Sequence, residues 1–582
     1  MTARGFLPCS VPVVVVVAVY ALGAVAAGQA LAEARGAGST KASITQRGSA
    51  AAALAASGDG HGIPACSSCH GAGGEGNAAA GFPRLAGLPA AYLVAQLNSF
   101  ANGGRRNAVM EPIARQLTAA QRGQLAGFYA GMPAGAGGAP VGVAVSTGQL
   151  GERLALYGRW SDEVPGCVQC HGERGSGVGT VFPALVGQPA GYIVAQLQAW
   201  KSGTRKGEPL GLMQGIAGRL SEEDVRGVAD YFAGQGVGRV GETPAGTGSS
   251  QAGAGPIQTA VGATRAARGP TEGTAASTHA NVAGSASSVA GGPLASPASG
   301  SASSTSGDSV RGQVFVPSDR PIPDDEFGKV VQLGRQIFDD PARYASQYVG
   351  NELRCESCHL DEGRHVGSAP LWAAYVSYPA YRAKNHHINT FEERLQGCFR
   401  FSMNGKAPPL GDPVLVALET YAYWMALGAP VDPKIAGRGY QVPAKPAQPA
   451  DYERGSKVYA RNCALCHGGD GAGQRDNEGH ATFPALWGAG SFNWGAGMGN
   501  VGNAAGFIKS NMPLGRGGTL SDQEAWDVAQ FMDSQERPQD PRYVGTVAET
   551  RTQFHDDTDS MYGKTVNGHL LGSDSVAAGG NQ

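Results

Sequence analysis

The chain has 582 residues, room for three to five domains, and its 45 basic and 47 acidic residues leave a net charge of −2. That balance excludes any argument from charge for nucleic acid or an anionic membrane surface as partner. Only 16% of residues are charged and 90 are glycine, yet much of the Gly and Ala is concentrated in linkers, so general disorder is not implied.

Arg4, the apolar run from Val11 to Leu22, and Ala30-Leu31-Ala32 before Glu33 have the order of a secretory signal peptide over 1–32, cleaved near Ala32. The run is short for a bilayer span and no later segment is long enough. The expectation is an exported, periplasmic protein without stable membrane insertion. Cys9 precedes the apolar run, the wrong place for a lipid-modified cysteine.

A first domain is expected over 58–136, with Cys66, Cys69 and His70 in the pattern Cys-x-x-Cys-His. The pattern returns at Cys167/Cys170/His171 in a domain over 150–237, at Cys355/Cys358/His359 in one over 313–447, and at Cys463/Cys466/His467 in one over 448–545. With 12 histidines in 582 residues, a chance histidine after all four pairs has a probability on the order of one in ten million. A zinc ribbon needs its second pair roughly 15 to 20 residues on, whereas these lie far apart; a redox dithiol or a plain disulfide does not explain the histidine. The pattern is that of c-type haem attachment: two thioether bonds to the porphyrin and an adjacent imidazole for the iron. Four covalently bound haem c groups are expected, and they supply apolar core that side chains would otherwise provide.

The N-terminal half is duplicated. Phe82-Pro83-Arg84-Leu85-Ala86-Gly87 matches Phe182-Pro183-Ala184-Leu185-Val186-Gly187, and Tyr92 to Leu97 matches Tyr192 to Leu197, which means two similar small domains. In each, a methionine precedes a capped helix: Met110 before the capping box Thr118/Gln121, Met213 before its acidic variant Ser221/Asp224. Met110 and Met213 are the expected second axial ligands. Residues 238–312 are almost entirely Gly, Ala, Ser, Thr and Pro, so a flexible linker is expected there, acting as a tether without a fixed interface between the halves.

The third domain opens with an apolar helical stripe from Phe327 to Phe338, but no methionine followed by a capped helix is evident in it. The fourth returns to the plan, with Met512 before the capping box Ser521/Glu524 and the stripe Ala525, Val528, Ala529, Met532. Met512 is its expected ligand; Lys509 and Met498 are weaker alternatives. Residues 546–582 are left as a C-terminal tail. The fold class is therefore all-α: four cytochrome c-like haem domains in two pairs joined by a long flexible linker.

Of ten cysteines, one lies in the signal segment and eight carry haem. Cys398 is left over, an unpaired thiol in an oxidising compartment. From Asn389 to Pro409 the segment around it resembles the dihaem thiosulfate dehydrogenases, which couple two thiosulfates into tetrathionate, and the resemblance extends over about 320–540. It implies that Cys398 is an axial ligand opposite His359. The N-terminal half is similar to dihaem cytochromes c of the c-four type, and to the electron-acceptor partner of those dehydrogenases, so a fusion of acceptor and enzyme is implied. Thiolate ligation pushes electron density onto iron, whereas His/Met ligation raises the potential; electrons would then run outwards from the third domain to an external acceptor, such as a terminal oxidase or a soluble redox protein.

The cations Arg382, Lys384, Arg394, Arg400 and Lys406 surround the segment, against Glu392 and Glu393. Fixed cations are the simplest way to bring two dianions together; others would serve haem propionates or solvent. Arg394, Ser402 and Lys406 flank the ligand segment and are the expected substrate residues with Cys398. His365, His386 and His387 are assigned surface or structural roles. The ligand sulfur either is attacked to form a sulfur-sulfur adduct or only tunes the iron, and Met403 is an alternative ligand. Competing functions are a non-catalytic multihaem shuttle, which has no use for a spare thiol, a haem-thiolate enzyme loading a sulfur-carrier protein, and a dihaem peroxidase, which needs an open iron.

Overall fold

The structure is a computed structural model describing residues 50–134, 148–235 and 314–574, apart from 319, 383, 384 and 433. The segments read as a signal peptide, 1–32, and as a linker, 238–312, lie outside the described residues. The fold is all-α, and among the described residues the sheet consists of two-stranded hairpins.

Each domain is built on the crossing of its first and last helices. In the second domain Gly148–Leu156 crosses Glu222–Gly234, in the third Glu326–Asp339 crosses Pro413–Ala426, and in the fourth Tyr452–Asn462 crosses Asp522–Asp533. A glycine makes each approach possible. A Cβ on Gly151 would lie 2.2 Å from the Gly227 carbonyl oxygen, one on Gly334 2.1 Å from that of Ala417, and one on Gly455 2.0 Å from that of Asp527. In the first domain Ala55 shares a core with Leu125, Ala126 and Tyr129. Gly455→Val must push two backbones apart, and overpacking of this kind costs about 3 kcal/mol; the urea midpoint of the fourth domain should fall accordingly, and an unchanged midpoint would show that the crossing is loose.

The capping boxes Thr118/Gln121, Ser221/Asp224 and Ser521/Glu524 all form, with side chain and backbone bonded reciprocally. The third domain corrects its sequence reading. It does end in a capped helix, Pro413–Ala426, with Asp412 accepting from the Val414 amide at 2.9 Å and Pro413 at the first helical position. Val414, Leu415, Ala417, Leu418, Tyr421, Ala422, Trp424 and Met425 are all buried, so the helix is apolar almost all round and shows no amphipathic period to read.

The expectation of halves without a fixed interface is also corrected, because both halves belong to one compact unit. The second domain docks on the third and fourth. Asn477 donates its amide to the Gly177 carbonyl at 3.0 Å, Glu173 donates its amide to Asp476 at 3.0 Å, and Asn477 Nδ2 reaches the Ser176 carbonyl at 2.7 Å. Gln169 bonds Glu356 at 3.2 Å, and the Arg335 guanidinium stands 4.7 Å over the Tyr157 ring. Val178, Phe182 and Phe483 form a small buried apolar cluster at this junction. Chain cleaved between residues 250 and 300 should therefore co-elute as one particle in size exclusion; two separate dihaem fragments would restore the simple tether.

In the segment read as a C-terminal tail, the helix Val547–Phe554 and the hairpin Thr565–Val566/His569–Leu570 fold back. Met561, Tyr562 and Leu571 enter the core of the fourth domain. His555 Nε2 lies 2.9 Å from Asp540, its ring stacked on Tyr562 at 4.4 Å.

Candidate haem cradles and thiol site

The four Cys-x-x-Cys-His turns share one arrangement. Nδ1 of His70, His171, His359 and His467 meets the carbonyl oxygens of Pro83, Pro183, Ala369 and Pro484 at 2.9, 2.8, 2.7 and 2.9 Å. A carbonyl can only accept, so Nδ1 carries the proton and Nε2 keeps a free lone pair. Burial pushes each imidazole below its usual range, His359 to about 4, so all four are neutral and ready to ligate a metal. No disulfide joins the cysteines of the described residues. The one cluster there with zinc-like spacing of His, Cys or acidic ligands is Asp476, Glu478 and His480, which contains no cysteine. The turns thus fit haem and not zinc.

In the second domain a cavity of about 360 Å³ is lined by Cys167, Cys170, His171 and Met213, with Ile193, Leu197, Val228 and Phe232 as walls. A thioether and an imidazole lining one largely apolar cavity suit a His/Met haem. Met512, at the end of Val501–Asn511, packs on the fourth core, as does Cys463. Met110 begins the helix Met110–Gln116 with its amide held by Asn107 at 2.9 Å. Lys509 is turned away to the Leu520 carbonyl at 2.6 Å and Asp522 at 3.0 Å. Met498 packs against both cores of the C-terminal half.

Cys398 opens a π-helix, Cys398–Ser402, that continues the capped helix Phe391–Gly397. The wider turn re-aims side chains at the junction, a common device at functional sites. Arg394, one turn earlier, donates Nη1 to the Cys398 sulfur at 3.0 Å. Its closeness to the Cys398 sulfur holds the Arg394 guanidinium above its ordinary range, against the opposing effect of burial. Burial pushes the Cys355 and Cys358 thiols up, and charge on Cys398 adds to both, while Arg394 lowers His359 further after burial. Thiol, guanidinium and the third Cys-x-x-Cys-His turn therefore lie close enough to act on one another.

Ser402 ends the π-helix and its carbonyl accepts from Asn351 at 2.9 Å; Lys406 is exposed beyond it. Among the described residues only Arg394 of the expected substrate residues bonds the sulfur. Arg382 bonds the Tyr378 hydroxyl at 2.6 Å, Arg400 is exposed, and Lys384 lies outside the described residues. Met403 is buried in the same core as Phe399. His386 and His387 are exposed, and His365 lies against Trp160 at 5.1 Å. Sequence reasoning missed Tyr440. Burial, then charge on Cys358, raises its hydroxyl far above the ordinary phenol range, with Arg394 and Cys398 also in its field; no spacing or motif connects it to the thiol.

Residues 51–129 match the family described as cytochrome c, and 450–532 match cytochrome c oxidase, cbb3-type, subunit III. Over 256 residues, 44% of this chain and 81% of the relative, the sequence is 63% identical to a thiosulfate dehydrogenase of Thiomonas intermedia (strain K12). The chain belongs to the thiosulfate dehydrogenase family. Over 170 residues, 29% of the chain and 78% of the relative, it is also 51% identical to a thiosulfate dehydrogenase electron acceptor of the same organism. The solved thiosulfate dehydrogenase TsdBA of Marichromatium purpuratum, in its as-isolated form, superposes with a TM-score of 0.73 at 38% identity, covering 91% of this chain and 99% of that one. This family member is thus a fusion of a dihaem cytochrome with the dehydrogenase, and its cytochrome c domains carry covalent haem c.

Proposed function

We propose that the chain oxidises two thiosulfates to tetrathionate beside the haem of the third domain, held by His359 and Cys398. The balance is 2 S2O3²⁻ → S4O6²⁻ + 2 e⁻, with no proton required. The observation that carries the reading is the 3.0 Å bond from Arg394 to the Cys398 sulfur beside the third attachment turn. Two dianions 4 Å apart repel by about 4 kcal/mol even at the dielectric of water, and Arg394 is the fixed cation beside the sulfur that offsets this.

Haem held in these cradles would supply one-electron acceptors for the two electrons. His359/Cys398, His70/Met110, His171/Met213 and His467/Met512 are the ligand pairs of this reading. The chain brings the second and fourth attachment turns together: Cys170, Leu465 and Cys466 all pack on the cluster of Val178, Phe182 and Phe483, whose phenylalanine rings are 5.2 Å apart. Electrons leave through the fused cytochrome pair to a soluble redox protein or a terminal oxidase. The leader-like N-terminus supports a periplasmic site, and no helix among the described residues is long and apolar enough to cross a membrane.

Two measurements test this. Intact mass of the denatured, purified protein should exceed the mature polypeptide by four haem masses; a smaller increment would remove one of the cradles. Turnover with a soluble acceptor should yield one tetrathionate per two thiosulfates consumed, whereas sulfate or sulfite as product would end the proposal.

A further inference from the structure

The two N-terminal domains meet through side chains that recur at an offset of one hundred residues: Tyr92/Tyr192, Gln96/Gln196, Phe100/Trp200 and Arg105/Arg205. The backbones of Arg105 and Arg205 form an antiparallel bridge, flanked by Arg106 N to Thr204 O at 2.9 Å and Lys206 N to Gly104 O at 2.7 Å. The side chains then close a ring. Gln96 Oε1 accepts from Arg105 and from Arg205, each at 2.9 Å. Gln196 Oε1 accepts from Arg105 at 2.6 Å and from Arg205 at 3.0 Å. Each arginine also reaches the tyrosine of the other domain, Arg105 to Tyr192 at 2.8 Å and Arg205 to Tyr92 at 3.3 Å.

Both arginines are only 6% exposed. Their partners are all neutral, and no carboxylate among the described residues pairs with either. Two buried cations sharing two amide oxygens repel each other, and burying a cation without a counter-charge is costly. Burial would raise the Tyr192 phenol, but the two guanidiniums outweigh it and hold it below its ordinary range. The arrangement calls for an anion. Arg205, with Tyr92, Gln96, Tyr192 and Gln196, lines the same cavity of about 360 Å³ as Cys167, Cys170, His171 and Met213.

We propose that Arg105 and Arg205 are the shared anchor for the propionate carboxylates of the two N-terminal haems, and that their closed ring ties the two potentials together. The proposal rests on the reading of covalent haem at Cys66/Cys69 and Cys167/Cys170. A fixed cation beside a haem favours the electron-richer ferrous form, so it raises the potential. Because each amide oxygen is shared between both arginines, loss of either guanidinium acts on both haems.

The test uses the full-length holoprotein and its Arg105→Gln, Arg205→Gln and Arg205→Lys variants, with haem counted by intact mass and potentials read by spectroelectrochemical titration. Four haem masses in the wild type secure the underlying reading separately. With haem retained, each Gln variant should lower both N-terminal potentials, while the Lys variant stays nearer the wild type. Unchanged potentials in both Gln variants would overturn the proposal. The thioethers hold haem whatever becomes of its propionates, so loss of haem from the Gln variants would assign the arginines to packing alone and overturn the proposal.

Discussion

Cys398→Gly should keep all four haems and lose thiosulfate turnover by a factor of about 10³ or more. The haem of the third domain would still have both thioethers and the His359 imidazole, whose tautomer is set by the Ala369 carbonyl at 2.7 Å and not by the thiol. The backbone is tolerant as well. Cys398 sits at φ −66°, ψ −47°, and its carbonyl accepts from the Met403 amide at 2.9 Å whatever the side chain. Glycine in a helical position costs only about 1 kcal/mol, so the variant should fold. A variant with full haem content and unchanged turnover would return the electron-shuttle reading to first place.

Arg394→Ala should lower kcat/KM about 10- to 100-fold, the worth of one charge-assisted hydrogen bond of roughly 1.5 to 3 kcal/mol. The loss should appear in kcat as well as in KM, because the guanidinium bonds the sulfur itself at 3.0 Å and does not serve the substrate alone. Arg394→Lys should recover part of it, since the charge remains but the planar fork does not. Lys406→Ala should change kcat/KM by less than about 3-fold, as expected for an exposed charge. The sequence suggested the same binding role for both residues; in the structure Arg394 bonds the sulfur and Lys406 is exposed. A rise in KM alone on removing Arg394 would mean that its contact with the sulfur plays no part in the chemistry.

What could be read in advance was what repeats. The four Cys-x-x-Cys-His turns, the three capping boxes and the duplicated N-terminal domains all follow from short motifs whose local chemistry does not depend on the rest of the chain. The third domain resisted reading because its last helix, Pro413–Ala426, is buried on nearly every face and so has no polar stripe to mark its period. The docking of the two halves depends on Gln169, Glu173, Asp476 and Asn477, polar residues whose partners lie hundreds of positions away and leave no local signal. The π-helix at Cys398 and the burial of Tyr440 are likewise products of tertiary packing. Cys398 itself was legible by subtraction, since every other cysteine had a use.

The most direct test of the account is to add thiosulfate alone, without oxygen or any acceptor, to the fully oxidised purified protein while following the haem absorption bands. The account predicts reduction of the haems with one tetrathionate released per two electrons taken up, and no reduction in the Cys398→Gly variant. Haems that stay oxidised, or that are reduced equally in wild type and variant, would contradict it.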